Sequence, residues 1–250
     1  MPSLWRLTLA QPGPTLDRRT VYRMLARCLD TDHHANRKPW SWTARREPGS
    51  LVVEVGLLDD TLADRLITGV EDTRRRHAPA AGRPTGVHQI AACTWAQLLH
   101  GPVTTEWAFR FISPVTFRRG NRFLPWPAPS AVLGSLRASW RTFAPADIAD
   151  VTVDLSGDPI VVTGVDGTTT VEQVVLHDRA DSTGTRRPVS VAVGGFSGQV
   201  RFAVDTPGFD PTGVTALARL APFSGIGAYT TRGFGGARAP RPAGQAARVG

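Results

Sequence analysis

The amino-acid sequence predicts an α+β protein that contains two consecutive β-α-β-β-α-β units. The apolar periodicities over residues 1–95 follow the order strand, helix, strand, strand, helix and strand. A similar order begins again near residue 107. A length of 250 residues leaves room for two compact cores, and 41% hydrophobic residues is typical of a globular protein. Because each unit has the ferredoxin-like (RRM-like) order, we expect a tandem ferredoxin-like fold.

Each element of the first unit follows from the spacing of its apolar residues. Alternation of apolar and polar residues predicts strands at residues 5–9, 40–43, 51–57 and 87–95. Apolar residues that recur every three or four positions predict a helix at residues 17–29 and a second helix that follows Asp60 and ends in the arginines at 74–76. The two middle strands are expected to form a hairpin around Pro48 and Gly49, and Asp59 or Asp60 is expected to cap the second helix.

The second unit is predicted from the same patterns. Strands are expected at residues 107–111, 151–155, 160–163, 171–176, 189–193 and 200–204, and helices at residues 132–143 and 211–220. The glycines at 194–198 are interpreted as the turn that joins the last two strands, and Asp210 as the cap of the closing helix. The predicted domains are therefore residues 1–100 and 101–236, followed by a mobile basic tail at 237–250.

Composition and charge exclude several classes of protein. No stretch approaches the ~20 apolar residues that a membrane span requires, and a charge appears too early for a signal peptide, so we expect a cytoplasmic protein that does not bind membranes. The two cysteines cannot form a disulfide framework. The net charge is +8, and Lys38 is the only lysine. Arginine binds phosphate well, so a nucleic acid is the leading partner, although arginine bias from a GC-rich genome is an alternative explanation.

The most specific motif is the glycine loop, residues 225–235, with the sequence GIGAYTTRGFG. Its four glycines permit positive φ and close backbone approach, so the loop can direct N–H groups toward phosphates: Gly225, Gly227, Gly233 and Gly235. The loop lacks the GKS/T of a P-loop, and it follows a helix rather than the strand of a dinucleotide fingerprint. RGFG at 232–235 matches only the start of an RNA-recognition consensus.

The paired units, the GGFSG segment at 194–198 and the glycine loop together resemble the RAMP superfamily of CRISPR proteins. SPVTFR at 113–118 also resembles the start of the second domain in the CRISPR precursor-RNA processing endoribonucleases, the sixth Cas protein in the usual numbering. The resemblance implies cleavage of repeat RNA without a metal or other cofactor. A 2′-hydroxyl would attack the neighbouring phosphate and leave a 2′,3′-cyclic phosphate and a 5′-hydroxyl.

The resemblance also implies catalytic residues. In many members of the family, a histidine in the loop after the first helix transfers the proton, and here that loop holds His33 and His34. Either histidine fits, and His34 is favoured because it is nearer Lys38, which could stabilise charge on the phosphorane. Tyr22, on the preceding helix, is implied to assist. The alternative for the histidine pair is a solvated loop without a catalytic role.

Seven arginines are candidate contacts for the repeat RNA: Arg37, Arg118, Arg119, Arg122, Arg187, Arg201 and Arg232. Those at 118, 119 and 122 lie between Phe117 and Phe123, a combination of cations and aromatic residues that is typical of an RNA-binding groove. Those at 187 and 201 border the predicted hairpin. Six tryptophans are assigned to core or hinge packing rather than base stacking: Trp40, Trp42, Trp95, Trp107, Trp126 and Trp140. No histidine, aspartate or glutamate cluster has the spacing of metal ligands.

Two other functions remain open at this stage. One is a non-catalytic RAMP subunit that binds guide RNA beside other subunits of a CRISPR effector complex. The other is an RNA-binding module outside CRISPR systems. The sequence does not distinguish a monomer from a homodimer.

Overall fold

The computed structural model describes residues 1–10, 17–30, 32, 35, 37–76, 82–180 and 186–238. Within these residues the chain forms two four-stranded antiparallel sheets and a separate two-stranded hairpin. In this part of the chain, no helix is long and apolar enough to cross a membrane.

The first half contains one complete ferredoxin-like unit. Its elements are β1 (Ser3–Ala10), α1 (Arg18–Leu29), β2 (Trp40–Glu47), β3 (Ser50–Leu57), α2 (Thr61–Arg76) and β4 (Pro84–Ala92). The strand order is β2-β3-β1-β4. Both helices begin at aspartates, because the Asp17 carboxylate accepts the Thr20 N–H at 2.6 Å and the Asp59 carboxylate accepts the Thr61 N–H at 2.9 Å.

The second half repeats this arrangement with insertions. Its elements are α3 (Trp95–His100), β5 (Glu106–Val115), β6 (Phe117–Arg119), β7 (Arg122–Leu124), α4 (Pro129–Phe143), β8 (Ile160–Ala180), β9 (Arg186–Val204), α5 (Thr212–Ser224), a 3-10 helix (Thr230–Arg232) and β10 (Ala237–Arg238). The sheet order is β10-β5-β9-β8. Both sheets therefore have the order 4-1-3-2 when the strands of each sheet are numbered along the chain, which confirms the tandem ferredoxin-like prediction.

The predicted hairpin with a turn at residues 194–198 is wrong. Strand β9 continues through these glycines and pairs with β8 along its whole length. A Cβ at Gly195 would lie 2.6 Å from Cβ of Pro114, and a Cβ at Gly198 would lie 2.2 Å from the carbonyl oxygen of Asp166. These glycines therefore allow β5 and β8 to approach β9 closely. Close approach of a neighbouring backbone, rather than a turn, is the reason for glycine at these positions of the strand.

Several predicted boundaries also differ from the structure. Residues 151–155 are not a strand, and the short strands predicted at 160–163 and 171–176 belong to the single strand β8. Thr94 and Gln97 form a capping box that begins α3, so the strand predicted to reach residue 95 ends earlier. Ala237 and Arg238, predicted as the start of the tail, pair with β5, and residues 239–250 lie outside the described residues.

The two halves are joined by contacts between α5, the glycine loop and the first sheet. A Cβ at Gly56 of β3 would lie 2.0 Å from the Phe223 carbonyl oxygen, so only glycine lets α5 approach this closely. The Ser41 hydroxyl donates to the same carbonyl at 3.1 Å, and the Trp42 indole N–H donates to the Thr231 carbonyl at 2.6 Å. These contacts place the glycine loop directly against β2.

Candidate nucleic-acid interface

A groove of about 1050 Å³, here called the central groove, lies between the segment before β2, the β6–β7 hairpin, α4 and the glycine loop. Its charged lining consists of Arg37, Lys38, Arg118 and Arg119. Among the described residues that line it, none is acidic. Because a cleft lined by one sign of charge concentrates counter-ions of the other sign, this groove favours a polyanion.

Lys38 contacts two residues at and just after the C-terminal end of α1. Its ammonium lies 2.6 Å from the carboxylate of Asp30 and donates to the carbonyl of Asp32. The side chains of Lys38 and Asp30 are 15% and 3% exposed, so this ion pair is largely buried beside the groove. His33 and His34, the predicted catalytic residues, lie outside the described residues.

The predicted RNA-binding arginines divide between the groove and other surfaces. Arg37 donates to the Ser139 hydroxyl of α4 at 3.4 Å. Arg118 and Arg119 are exposed on the β6–β7 hairpin. Together with Arg37, they line the central groove. The remaining exposed arginines are outside the groove lining: Arg122 on the same hairpin, and Arg187 and Arg201 on β9.

Tyr22 and Arg232 contact each other at a different place. Their pocket, here called the small pocket, has a volume of about 240 Å³ and lies between α1, β8 and the glycine loop. The Tyr22 ring stacks on Trp40, with ring centroids 6.3 Å apart, and the Arg232 guanidinium lies 3.8 Å from the centroid of the Tyr22 ring. Arg232 also donates to the carbonyls of Val175 and Leu176 at 3.0 and 3.1 Å. The structure therefore places Arg232 between α1 and β8 rather than in the central groove.

Arg18 makes a second connection across the small pocket. Its guanidinium lies 2.5 Å from the Glu172 carboxylate of β8 and 4.8 Å from the centroid of the Phe234 ring. Burial lowers the pKa of Arg18, and the charge of Glu172 opposes this shift. The N-terminal end of α1 is thus attached to the second half by an ion pair and a cation–π contact.

The glycine loop does not present its glycine N–H groups as a phosphate cradle. The Gly225 N–H donates to the Ala221 carbonyl, the Gly227 N–H to the Ser135 hydroxyl, the Gly233 N–H to the Thr230 carbonyl and the Gly235 N–H to the Pro114 carbonyl. Since these donors are used within the protein, the expectation that they point at phosphates is wrong. Only two of the four predicted glycines, Gly225 and Gly227, line the central groove.

The loop needs its glycines for packing instead. All four have positive φ, between 65° and 86°. A Cβ would lie 2.3 Å from the Thr116 carbonyl oxygen at Gly227 and 1.9 Å from the Ile226 carbonyl oxygen at Gly235. The hydrophobic residue of each Gly-hydrophobe-Gly pair is buried, with Ile226 0% and Phe234 1% exposed. The motif therefore folds the chain tightly between α5 and β10.

Trp126 is the groove residue that the sequence interpretation missed. Its side chain lines the central groove and is 51% exposed, which contradicts its assignment to packing, whereas the other five tryptophans of that assignment are buried. Pro125 and Pro127 flank it. Proline disfavours helix at the preceding residue and removes a backbone donor, so this Pro-Trp-Pro context was the available signal that Trp126 lies outside any regular element.

The described residues contain no group of three or more histidine, cysteine, aspartate or glutamate side chains arranged to hold a metal ion. Within the described residues, the candidate site consists of the four cations of the central groove, the aromatic surface of Trp126, and the ion pair of Lys38 with Asp30.

The paired ferredoxin-like units define a RAMP-like fold, and comparisons with known proteins identify the family. The model of the family "CRISPR-associated endoribonuclease Cas6" matches residues 109–237. Among curated protein sequences, none matches the chain. The chain belongs to the Cas6 family of CRISPR-associated endoribonucleases, which are RNA-cleaving enzymes.

Solved Cas6 structures share the fold over almost the whole chain. A product complex of Thermus thermophilus Cas6 (TTHB231) has a TM-score of 0.74 and 23% identity, and the match covers 96% of this chain and 99% of that one. A product complex of a second Thermus Cas6 (TTHA0078) has a TM-score of 0.73, 26% identity and coverages of 96% and 100%. Its complex with a substrate mimic has a TM-score of 0.70, 24% identity and coverages of 96% and 99%.

Proposed function

We propose that this protein binds CRISPR repeat RNA in the central groove and cuts the precursor transcript once per repeat without a metal ion. The ribose 2′-oxygen forms a bond to the adjacent phosphorus, and the bond from phosphorus to the 5′-oxygen breaks. The 2′-hydroxyl proton passes to a base, and the 5′-oxygen receives a proton. The products are a 2′,3′-cyclic phosphate and a 5′-hydroxyl. The central observation that supports the proposal is a groove whose described lining holds four cations and no acidic residue, in a chain of the Cas6 family.

In this proposal, His34 or His33 transfers the proton, and Lys38 stabilises negative charge on the phosphorane. An ammonium group has three N–H donors. The donors of Lys38 reach the Asp30 carboxylate and the Asp32 carbonyl, which leaves one for a phosphate oxygen at the groove. The two histidines follow Asp32 directly in the sequence, five and four positions before Lys38.

The exposed arginines of the β6–β7 hairpin supply the contacts to the RNA backbone. Arg118 and Arg119 line the groove from β6, far in the sequence from Arg37 and Lys38. Neither has an acidic partner among the ion pairs of the described residues. Each phosphate neutralised by such a cation makes binding more sensitive to salt. Other CRISPR effector subunits are further proposed partners.

The test compares cleavage of the repeat RNA in excess chelator with cleavage of the same RNA carrying a deoxyribose before the scissile phosphate. We expect the first to be cut and the second to be bound but intact, with the cyclic phosphate identified by mass spectrometry. His34→Ala and His33→Ala are then compared with His88→Ala, which changes an exposed histidine on β4. Loss of the catalytic histidine is expected to slow cleavage by about 10²–10⁴ without weakening binding.

Three results would contradict the proposal in different parts. Cleavage of the deoxyribose substrate would exclude attack by the 2′-hydroxyl. Inhibition by chelator that added metal reverses would exclude the metal-independent reaction. Unchanged cleavage in the double variant His33→Ala/His34→Ala would exclude both histidines as the proton-transfer group.

A further inference from the structure

Trp126 is the exception among the tryptophans of this protein. The other six are at most 9% exposed, whereas Trp126 is 51% exposed. Leu124, two residues earlier, is 40% exposed in the same groove. Leaving large apolar side chains in water forgoes the stabilisation of burying them, so such a surface points to a ligand that covers it.

The backbone on both sides of Trp126 is restrained. Pro125 and Pro127 restrict the chain on both sides of it, and the Ala128 N–H donates to the Trp126 carbonyl at 3.0 Å. Pro125 in turn lies over Gly194 of β9, where a Cβ would be 3.9 Å from the proline ring. A backbone restrained before binding loses less conformational entropy on binding, which favours the use of this segment as a contact surface.

We infer that Trp126 is a stacking platform for one unpaired base of the bound RNA, an inference that rests on the proposed function. The groove that it lines contains four cations and no acidic residue among its described lining, which fits the phosphate backbone of a nucleic acid. A base within a duplex is already stacked on both faces, so an aromatic platform recognises a splayed base of a single-stranded segment. Because every base has a π-face, the contact is tolerant of base identity.

Trp126 should therefore select the strandedness of the RNA rather than its sequence. Arg118 and Arg119 belong to the hairpin that ends two residues before Trp126, so the backbone of the same segment can contact them while its base stacks on the indole. The inferred substrate region is an unpaired nucleotide of the repeat RNA.

Quenching of tryptophan fluorescence by acrylamide tests the inference on the unmodified protein. Because Trp126 is the only tryptophan exposed above 9%, the collisional quencher acts mainly on this residue. We expect repeat RNA to protect the quenchable component, and Trp126→Phe to remove it. A quenchable component that is unchanged at saturating RNA would overturn the inference.

A binding series on variants tests it independently. We expect Trp126→Ala to weaken binding of the repeat RNA by about 5- to 150-fold, the equivalent of ~1–3 kcal/mol per stacked base, and Trp126→Phe to retain part of the affinity. Val171→Ala is the matched control, because Val171 is 72% exposed on β8 and does not line the groove. The unfolding temperature of each variant establishes that it is folded.

An abasic scan of the RNA locates the base. At one unpaired position, removal of the base should weaken binding to the wild-type protein but not weaken binding to Trp126→Ala any further. If wild-type protein binds and cuts the repeat but no position shows this coupling, the stacking inference fails while the proposed function stands. If wild-type protein neither binds nor cuts the repeat, the proposed function fails. Loss of a protein partner with unchanged RNA affinity in Trp126→Ala would assign the indole to a protein contact and overturn the inference.

Discussion

The ring of Tyr22 contacts two partners that belong to different parts of the fold. It stacks on Trp40 of β2 and lies under the guanidinium of Arg232, which is bound to two carbonyls of β8. Tyr22 lines the small pocket and not the central groove. These contacts support a role in which Tyr22 orients α1 through its ring rather than transferring a proton through its hydroxyl.

We predict that Tyr22→Phe cleaves repeat RNA at nearly the wild-type rate, because phenylalanine keeps both ring contacts. Tyr22→Ala, which removes them, should lower the free energy of unfolding and the cleavage rate together. Single-turnover kinetics and thermal unfolding of both variants measure this difference. A loss of about 10²-fold or more in a stable Tyr22→Phe protein would instead identify the hydroxyl as an acid–base group.

At the scale of the element, the glycine loop shows how one motif connects several parts of the molecule. Its N–H groups donate to Pro114 at the end of β5 and to Ser135 of α4, and its carbonyl at Thr231 accepts from Trp42 of β2. Its position next to the central groove therefore depends on both halves. The loop forms one side of the central groove, and the cations that line this groove belong to other elements.

We predict that Gly235→Ala is much more destabilising than Gly120→Ala. Both glycines have positive φ, 66° and 59°, but a Cβ at Gly120 meets nothing within 4 Å, whereas at Gly235 it meets a backbone oxygen at 1.9 Å. We expect a loss of ~1–2 kcal/mol at Gly120 from the left-handed conformation, and an additional ~1–3 kcal/mol at Gly235 from the clash. Urea unfolding of the two variants measures the difference, and equal losses would contradict this account of the loop.

At the scale of the whole molecule, a buried carboxylate joins the two halves. Glu54 of β3 is 4% exposed, and it accepts from Arg6 of β1 at 3.1 Å and from Arg238 of β10. Burial by itself would raise the pKa of Glu54, but hydrogen bonds and charge from Arg238 and Arg6 lower it below its ordinary value. The short last strand is thereby connected to the first sheet as well as to β5.

This ion-pair network predicts a specific dependence of stability on pH. Since the pKa of Glu54 is lower in the folded protein than in the unfolded chain, its contribution is present above the unfolded value of about 4.3 and is lost as the pH falls through the folded value. The free energy of unfolding of the wild-type protein should therefore exceed that of Glu54→Gln at neutral pH, and the difference should shrink below about pH 4.

Chemical unfolding of both proteins from pH 7 to pH 3 measures that difference. Glu106→Gln is the control, because Glu106 is exposed on β5 and its carboxylate makes no ion pair or hydrogen bond with another described residue. A difference between wild type and Glu54→Gln that stays constant over this range would show that the Glu54 carboxylate does not titrate as proposed.

Local periodicity was sufficient to predict the elements of the first ferredoxin-like unit, because each row of core-facing residues belongs to one short segment. Leu25 and Leu66 are fully buried at the positions that helical spacing predicts, and Val53 and Val55 at those that alternation predicts. The domain limits, the cytoplasmic location and the oligomeric state stay predictions, as do the catalytic histidines.

Only the tertiary structure decided what the glycines and the aromatic residues do. Glycine at 194–198 is compatible with a turn and with a crowded strand, and the approach of Pro114 to Gly195 selects the strand. Likewise, the sequence around Trp126 does not specify that its side chain stays exposed to solvent in the folded protein. Whether a backbone donor is already used, or a ring stays in solvent, depends on residues far away in the chain, and a local pattern carries no information about them.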